Sequence, residues 1–330
     1  MSITVRVLGV FVVLITSTFQ PSETVAQQQS KVYHIGFLNS GVLSGGIFSR
    51  DEFYSAFRDA GYIEDKNIVI EERYAEGDLS RLPSLAAELV ELKVDVIVIL
   101  GGPAAQAAKK ATSTIPIVIL GAGDPVGTGL VASMARPGGN ITGFSDFSTD
   151  LSGKRLQLLK EAVPGISRVA VLYNSADPAM TLRYQALEHA APILGVAIQP
   201  LGVREPADFD GAFSAMIGNR PDAIVMVTDA LTNLNRKLVT TFAISNRLPL
   251  AVEFSNIVRD GALMSYGWNF NDRYPRVVDL VGRILRGDNP GDLPIEGPTR
   301  FYLVINLKTA KALGLTLPQS MLLLADEVIE

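Results

Sequence analysis

Short apolar runs alternate along the chain with longer stretches in which apolar residues recur at helical spacing. The runs that predict strands in the first half are Val32–Leu38, Ile68–Glu72, Val94–Leu100 and Ile115–Leu120. Several are rich in β-branched residues and apolar at odd and even positions alike, which is typical of parallel strands buried on both faces. The segment between the second and third runs, SRLPSLAAELVEL, carries its leucines on one helical face. This alternation predicts an α/β fold with doubly wound, Rossmann-like parallel sheets.

The second half of the chain repeats the first. IGFLNS matches VAVLYNS, VDVIVILGG matches PDAIVMVTD, and IPIVILGAGDP matches LPLAVEFSN. The matched Asn, Asp and Pro positions are separated by 135, 127 and 133 residues, so three motifs recur in one order at similar spacing. The alternative is a chance match between generic buried strands. The repeat predicts two lobes of one topology.

Further elements follow after both repeats are nearly complete, which predicts that the chain crosses between the lobes more than once. We expect crossings near Thr142–Thr149, Gly267–Asn269 and Gly297–Arg300. Three connecting strands form a hinge, whereas a loose linker would be rich in Gly, Ser or charge. We therefore expect lobe 1 to comprise residues 31–145 plus 269–297. Lobe 2 would comprise residues 146–268 plus 298–330.

The first residues are typical of an export signal. Arg6 precedes an apolar run from Val7 to Ile15 that is short for a membrane span, and small residues follow at 24–26. We expect a signal peptide at residues 1–26, cleaved near Ala26, and a periplasmic protein. The alternatives are a buried N-terminal strand or a membrane anchor. The chain has no cysteine, which excludes disulfides and a lipidated cysteine as a tether.

Composition argues against several classes of function. The net charge of -5 does not favour a nucleic-acid partner, which needs a basic surface. The two histidines, His34 and His189, fall in a predicted strand and a predicted helix, and no metal-ligand motif occurs, so we expect no metal and no cofactor. Paired carboxylates remain an alternative, because Asp124, Asp229 and Glu253 could converge for acid–base chemistry in a two-lobed enzyme acting on a small carboxylate.

The candidate binding residues are those at the carboxyl ends of the predicted strands, where ligands bind in open α/β sheets. In two facing lobes these ends line one cleft. The residues that we expect there are Asn39, Ser40, Gly102, Pro103, Ala104, Asp124, Asn174, Asp229, Glu253 and Tyr266.

The segment GGPAAQAAKK offers the sharpest site among them. Two glycines end a buried strand, and Pro103 stands where the first helical residue would be. The free N–H groups of such a helix start, with the helix dipole behind them, suit an anion such as a carboxylate. The alternative is an ordinary turn in which small residues only allow close packing.

The segment GAGDPVGTGLV is not a phosphate-binding loop. It has no lysine, and the G-x-G-x-x-G pattern fails because residue 126 is Val. It corresponds to LPLAVEFSN in the second repeat, so we interpret it as the rim of a strand in the first lobe. We expect Asp124 to face the ligand.

Several motifs in one order resemble the substrate-binding proteins of ABC transporters in the family labelled tryptophan/tyrosine transport. They are IGFLNSG, GYIEDKNIVIEERYAEGDLSRLPSLAAELV, PIVILGAGDPVGTGLVASMARPGGNITG, LMSYG and FYLVINLKTAKALGL, and the resemblance runs from about Val32 to the C-terminus. It implies a type I periplasmic binding protein. Its partners would be a small-molecule ligand and an inner-membrane permease with a separate ATPase subunit, and we expect a monomer.

For the ligand, the resemblance implies an aromatic amino acid or a related carboxylate. Its carboxylate would meet Gly102–Ala104, and its ammonium would meet Asp124 or Asp229. Tyr173, Phe254 and Tyr266 are the aromatic side chains that could stack on it. The ligand would be delivered without chemistry; the alternative role is to report to a chemoreceptor or sensor kinase. A ligand-responsive gene regulator would need a basic N-terminal DNA-binding module, and the chain has an apolar run there instead.

Overall fold

The computed structural model describes residues 31–43 and 47–330, and they contain two sheets. The expected signal peptide, residues 1–26, lies outside the described residues. The strands are β1 (Tyr33–Asn39), β2 (Ile68–Tyr74), β3 (Val96–Leu100), β4 (Ile117–Ala122), β5 (Ile141–Ser145), β6 (Arg168–Asn174), β7 (Ala197–Val203), β8 (Ala223–Met226), β9 (Leu250–Val252), β10 (Met264–Gly267), β11 (Tyr302–Asn306) and β12 (Glu327–Ile329).

Helices follow most of the strands, as the alternation predicts. They are α1 (Arg50–Asp59), α2 (Leu82–Glu91), α3 (Gly102–Ala111), α4 (Ser148–Ala162), α5 (Pro178–Ala190), α6 (Asp208–Gly218), α7 (Ala230–Leu234), α8 (Arg236–Ser245), α9 (Ser255–Arg259), α10 (Tyr274–Leu285), α11 (Leu307–Leu313) and α12 (Gln319–Leu324). Within the described part of the chain, no helix is long and apolar enough to cross a membrane.

The strand order confirms the repeat. The first sheet has the order β2-β1-β3-β4-β5, and the second has β7-β6-β8-β9-β10 followed by β11 and β12. The first five strands of each half therefore have one topology. This order places the carboxyl ends of β1 and β3 beside each other in the first sheet, and those of β6 and β8 in the second. We refer to each sheet, with the helices that pack on it, as the first lobe and the second lobe.

The second sheet is not wholly parallel. β11 pairs antiparallel with β10, with Met264 opposite Ile305 and Gly267 opposite Tyr302. The antiparallel direction follows from the path of the chain, because β11 enters the second sheet after a return from the first lobe. Such an edge addition to a parallel sheet is common in doubly wound folds.

The chain passes three times between the sheets. It leaves the first sheet after β5, and it leaves the second after β10 to form α10, whose Val277 and Val281 share a core with Ile35 and Val118 of the first sheet. It then returns to the second sheet at β11. A parallel bridge between Phe144 and Glu296 joins the first and third passages. The residue boundaries that we expect for the two lobes stay a prediction.

Candidate functional site

A cavity lies between the carboxyl ends of the two sheets. Its empty space, counted out into the open mouth, is about 800 Å³. Loops after β1, β3 and β4 form one wall, and those after β6, β8, β9 and β10 form the other. The lining residues that matter below are Asn39, Ser40, Phe48, Gly101, Gly102, Pro103, Gly123, Asp146, Asp177, Arg183, Thr228, Asp229, Phe254, Trp268 and Phe270.

The start of α3 forms one end of the cavity. Gly101 ends β3 with a φ of 105°, a backbone conformation that favours glycine, and Pro103 occupies the first turn of the helix. The hydroxyl of Ser40 lies beside this turn, because a Cβ on Gly101 would stand 2.6 Å from Ser40 Oγ. Ser40 is 4 % exposed, and its hydroxyl has no hydrogen-bond partner among the described residues. This end of the cavity therefore presents an unpartnered hydroxyl beside the free N–H groups of a helix start.

Two carboxylates, Asp177 and Asp229, line the cavity from the second lobe. Asp177 also comes close to the start of α3, because a Cβ on Gly102 would stand 3.9 Å from its Oδ1. Asp177 caps α5, and its Oδ1 accepts from the N–H of Ala179 at 2.9 Å. Asp229 caps α7, with its Oδ1 accepting from the N–H of Thr232 at 2.9 Å. Neither forms an ion pair within the described part of the chain. Burial, and then the charge of Asp229, raise the pKa of Asp177 to about 6.

Thr228 adds a second unpartnered hydroxyl between these carboxylates and the second sheet. It is 3 % exposed, and its Oγ1 makes no hydrogen bond within residues 31–43 and 47–330. A buried hydroxyl without a partner costs free energy. Such a group inside a cavity indicates a ligand that supplies the missing hydrogen bond.

Aromatic rings form the apolar wall of the cavity. Phe254 meets Trp268 edge to face, with ring centroids 5.5 Å apart, and Trp268 contacts Phe270 at 4.2 Å. Phe48 lines the cavity from the first lobe. The wall thus offers ring faces and edges to an aromatic or apolar group.

A buried network of charged side chains supports the cavity from below. Arg183 on α5 donates to Asp146, and it donates to Glu253 Oε2 at 2.8 Å. Arg155 Nη1 lies 3.1 Å from Glu253 Oε1. Two guanidinium groups and two carboxylates compensate one another, so the network carries no net charge. The charges of Asp177 and Asp229 are outside it.

The two walls touch, so the cleft is closed. A Cβ on Gly123 in the first lobe would stand 2.5 Å from the Cβ of Ala179 in the second. A Cβ on Gly77 would stand 2.9 Å from a methyl group of Leu234. Gly123 permits an approach that a larger residue would oppose, whereas the contact at Gly77 is with the end of a flexible side chain.

The structure brings six of the sequence-predicted residues to the cavity, one of which is Phe254 of the aromatic wall. Asn39, Ser40, Gly102 and Pro103 line it from the first lobe, and Asp229 lines it from the second. Asn39 uses its Oδ1 to accept from the N–H of Gly41 at 2.7 Å, which holds the loop after β1.

Three polar or small residues of the prediction lie outside the lining. Ala104 is packed in the core of the first lobe. Asn174 donates to Asp229 Oδ2 at 2.6 Å and so orients that carboxylate. Glu253 is engaged in the buried network with both arginines. Asn174 and Glu253 lie at strand ends and Ala104 lies in the first turn of α3, but none of the three lines the cavity.

Asp124, which we predict to face the ligand, is engaged by local hydrogen bonds. Asp124 Oδ1 accepts from the N–H groups of Val126 at 3.1 Å and of Gly127 at 2.8 Å, which closes a local turn. Asp124 is not among the residues that line the cavity. The strand end therefore contributes Gly123, and the carboxylate belongs to the turn after it.

The two predicted tyrosines are also placed elsewhere. Tyr173 stacks on Tyr184, with ring centroids 4.6 Å apart and an interplanar angle of 7°. Tyr266 lies 6.0 Å from the ring of Phe301. Because side chains alternate along a strand, a ring near a strand end can equally well pack against a helix on the outer face.

Several cavity residues are not among the site residues that we predict. Asp177, Arg183 and Trp268 are the most informative of these. The pair Asp177-Pro178 carries the sequence pattern of a helix cap at the end of a strand, which would locate Asp177. Nothing in the local sequence distinguishes Arg183 from an exposed helical arginine. In the described part of the chain, no group of three His, Cys, Asp or Glu side chains could hold a metal ion.

The fold and the cavity define a two-lobed binding protein of the type I periplasmic class. The model of the family described as ABC transporter substrate binding protein matches residues 47–329. The chain belongs to this family. It is the solute-binding component of an ABC transport system.

Individual relatives agree with this assignment. The tyrosine-binding protein of Clostridioides difficile (strain R20291) is 31 % identical over 264 residues, covering 80 % of this chain and 75 % of the relative. A crystal structure of an ABC domain from Streptococcus pneumonia in complex with L-Trp is 26 % identical, with a TM-score of 0.83. The match covers 91 % of this chain and 100 % of the other.

A third relative is described as open and ligand-free. This substrate-binding protein with adhesive properties from Clostridium difficile, in its ligand-free, open structure, is 29 % identical over 90 % of this chain and 99 % of its own. Its TM-score is 0.65, lower than that of the L-Trp complex despite the higher identity. The lower score is consistent with the closed cleft described above.

Proposed function

We propose that the cavity binds an α-amino acid with an aromatic side chain and that the protein delivers it, chemically unchanged, to a membrane permease. The observation that carries this proposal is the arrangement of unmatched groups. The second lobe lines the cavity with two carboxylates, Asp177 and Asp229, that form no ion pair among the described residues, and the first lobe lines it with the Ser40 hydroxyl and the start of α3. A zwitterion complements both.

The carboxylate of the ligand would bind at the start of α3. The hydroxyl of Ser40 and the N–H of Gly102 are the nearest donors, and Pro103 has no N–H to offer. The positive end of the helix dipole favours an anion at this position. The unpartnered hydroxyl of Ser40 is the second, independent support for this placement.

The ammonium group would bind between Asp177 and Asp229. A cation there would relieve the repulsion that contributes to the raised pKa of Asp177. It would also leave Asp177 ionised at neutral pH. The oxygen of Asp229 that accepts from Asn174 is already oriented, so part of the ordering is complete before the ligand arrives.

The side chain of the ligand would meet the aromatic wall. Phe254, Trp268 and Phe270 offer ring contacts that favour an aromatic group over an aliphatic one. The tyrosine-binding name of one relative and the L-Trp bound to another support the same choice of ligand class.

The mechanism that we propose is binding with closure and without chemistry. The ligand contacts both lobes at once, so it stabilises the closed form relative to the open form. The closed form would then present both lobes to the permease, and a separate ATPase subunit would supply the energy. Glu253 and Asp124 are each engaged by neighbouring groups, which supports binding rather than acid–base chemistry. We propose export to the periplasm with cleavage near Ala26, and a monomer.

Calorimetry with a set of matched ligands tests the proposal. We expect L-tyrosine or L-tryptophan to bind more tightly than L-leucine, and to be recovered unchanged. Tyramine lacks the carboxylate and 3-(4-hydroxyphenyl)propionate lacks the ammonium; each should bind at least about tenfold more weakly than L-tyrosine, because a charged hydrogen-bonded group is left unpaired. Tight binding of a sugar or purine, with no response to amino acids, would overturn the proposal.

A further inference from the structure

Trp268 is the only tryptophan of the chain, and it lies where the chain passes between the two lobes. It follows β10 directly, on the second passage of the chain from the second lobe to the first. Its indole lines the cavity, contacts Phe254 of the second lobe, and approaches Gly121 of the first, where an added Cβ would stand 3.6 Å from Trp268 Cη2.

Arg273 packs on the face of this indole that is turned away from the cavity. Its guanidinium carbon lies 3.3 Å from the ring centroid, and Arg273 is not among the residues that line the cavity. The contact is therefore a cation–π stack on the side of the ring away from the ligand space. Tryptophan is the aromatic residue with which such a stack is strongest.

The same guanidinium is fixed to the first lobe. Nη1 donates to the carbonyl of Leu120 at 3.3 Å, and Nη2 donates to the carbonyl of Ser145 at 3.0 Å. These carbonyls lie in β4 and at the end of β5. Arg273 thus connects the indole to the two strands of the first sheet that are nearest the hinge.

Burying the guanidinium of Arg273 costs free energy, because the charged group is removed from water without an ion-pair partner. The side chain is buried, it forms no ion pair within the described residues, and its Nε has no hydrogen-bond partner there. Burial lowers its pKa to about 9, so the group remains a cation at neutral pH. Buried arginines elsewhere in this cleft, Arg155 and Arg183, do have carboxylate partners. The indole face, the ring of Phe144 at 5.6 Å and two carbonyls stabilise Arg273 instead, together with the more distant charges of Asp146 and Asp272.

We propose that Arg273 is a positioning residue for ligand selectivity, which holds the indole of Trp268 in the orientation that receives the aromatic ring of the ligand. The inference rests on the proposed function for its effect on binding. It does not rest on it for the arrangement of the indole, which depends on contacts within the protein. Lysine in place of Arg273 would keep the charge but lose the planar group that stacks on the ring.

Fluorescence of the single tryptophan tests the positioning in ligand-free protein. We expect Arg273→Lys to shift the emission of Trp268 and to increase its quenching by acrylamide. The matched control is Arg50→Lys, which removes a comparable stack on Tyr54, at 4.1 Å, away from the cavity. The control should leave the emission of Trp268 unchanged. Arg273→Gln is a second variant in case the lysine variant does not fold.

A double-mutant cycle tests the effect on binding. We expect Arg273→Lys to weaken L-tyrosine binding about tenfold while changing L-leucine binding far less. In a Trp268→Phe background the same substitution should have little further effect, because Arg273 acts through the indole. A merely structural arginine would weaken both ligands alike and would act additively with Trp268→Phe.

The outcomes separate the two proposals. If the wild-type protein binds no aromatic amino acid, the proposed function fails, and fluorescence alone decides whether Arg273 positions Trp268. Unchanged emission and quenching in both Arg273 variants would overturn the positioning role. Additive losses in the cycle would overturn the role in selectivity even if L-tyrosine binds.

Discussion

Arg183 and Asp146 form a buried ion pair across the base of the cleft. Arg183 belongs to α5 of the second lobe, and Asp146 directly follows the last strand of the first sheet. Arg183 also holds Glu253, which lies against Arg155. The hinge is therefore tied to the second lobe by a neutral, buried group of four charges, two of which line the cavity.

Removing one member of this network should be strongly destabilising. We expect Arg183→Met to lower the free energy of unfolding by about 3–5 kcal/mol, because two carboxylates lose a partner while they remain buried. Urea denaturation measures the change. The control is Arg259→Met, which breaks an exposed ion pair with Glu327 and should cost less than about 1 kcal/mol. Similar losses for both variants would contradict the network's importance.

Ligand affinity should fall as the pH falls through 6. Burial, and then the charge of Asp229, raise the pKa of Asp177 to about 6, so ligand-free protein takes up a proton there between pH 7 and pH 5. A cationic group needs the ionised carboxylate, so affinity for L-tyrosine should be about tenfold lower at pH 5 than at pH 7. Calorimetry at the two pH values gives the ratio, and Asp177→Asn should abolish the dependence.

The same proton has the opposite effect on the stability of the ligand-free protein. A carboxyl whose folded pKa is raised binds its proton more tightly in the native state than in the unfolded state. This group therefore favours folding increasingly as the pH falls from about 6 toward 4. A thermal melt of wild-type protein against Asp177→Asn over this range isolates the contribution, and no difference in slope would argue against a raised pKa.

Asp124 and Asp177 should respond differently to the same substitution. Asp124→Asn alters a turn outside the cavity lining and should change affinity less than about twofold, since its carboxylate serves Val126 and Gly127. Asp177→Asn removes a charge from the cavity and should weaken binding at pH 7 by more than about tenfold. Calorimetry of the two variants in parallel decides between the placements. A large loss for Asp124→Asn would restore it to the site.

A single methyl group on Gly123 should oppose closure. The added Cβ would stand 2.5 Å from the Cβ of Ala179, closer than carbon atoms approach without displacement. We expect Gly123→Ala to weaken ligand binding and to increase the radius of gyration in X-ray scattering, with the melting temperature of ligand-free protein little changed. Gly165→Ala, where the methyl group meets nothing within 4 Å, is the control and should bind normally.

Thr228→Val should stabilise the empty protein and weaken the complex. The Thr228 hydroxyl has no partner among the described residues, so replacing it with a methyl group removes an unmet hydrogen bond and should add about 1 kcal/mol to stability. Affinity should fall because the ligand loses that hydrogen bond. Opposite signs in denaturation and calorimetry are the expected result; a loss in both would assign Thr228 a structural role instead.

The architecture could be predicted from the sequence because the hydrophobic periodicity and the order of the elements can be read along the chain. Buried strands such as Val96–Leu100 are apolar at every position, and their recurrence after a fixed interval predicts the second sheet. Strand ends then locate the cleft, and Ser40 and Asp229 lie there as predicted. The antiparallel direction of β11 was not accessible, because it depends on where the third passage re-enters the sheet.

Side-chain direction at the strand ends was not accessible either. Asp124 and Asp229 both follow strands, but one turns back on its own loop and the other reaches the cavity. The buried network joins residues from four separate parts of the chain, and their pairing depends on the tertiary structure that brings them together. The role of Arg273 could not be predicted from the sequence either. Its closest contacts are an indole and two carbonyls, and it forms no ion pair among the described residues.

The three passages between the sheets also affect the order in which the protein can fold. The core of the first lobe includes Val277 and Val281 of α10, more than a hundred residues after β5 completes the first sheet. A chain that grows from its N-terminus cannot close that core until the strands of the repeat in the second lobe have been made. Contacts so distant in sequence slow folding. Neither lobe is an independent folding unit in chain order, and the polypeptide remains incompletely packed until α10 docks on the first sheet.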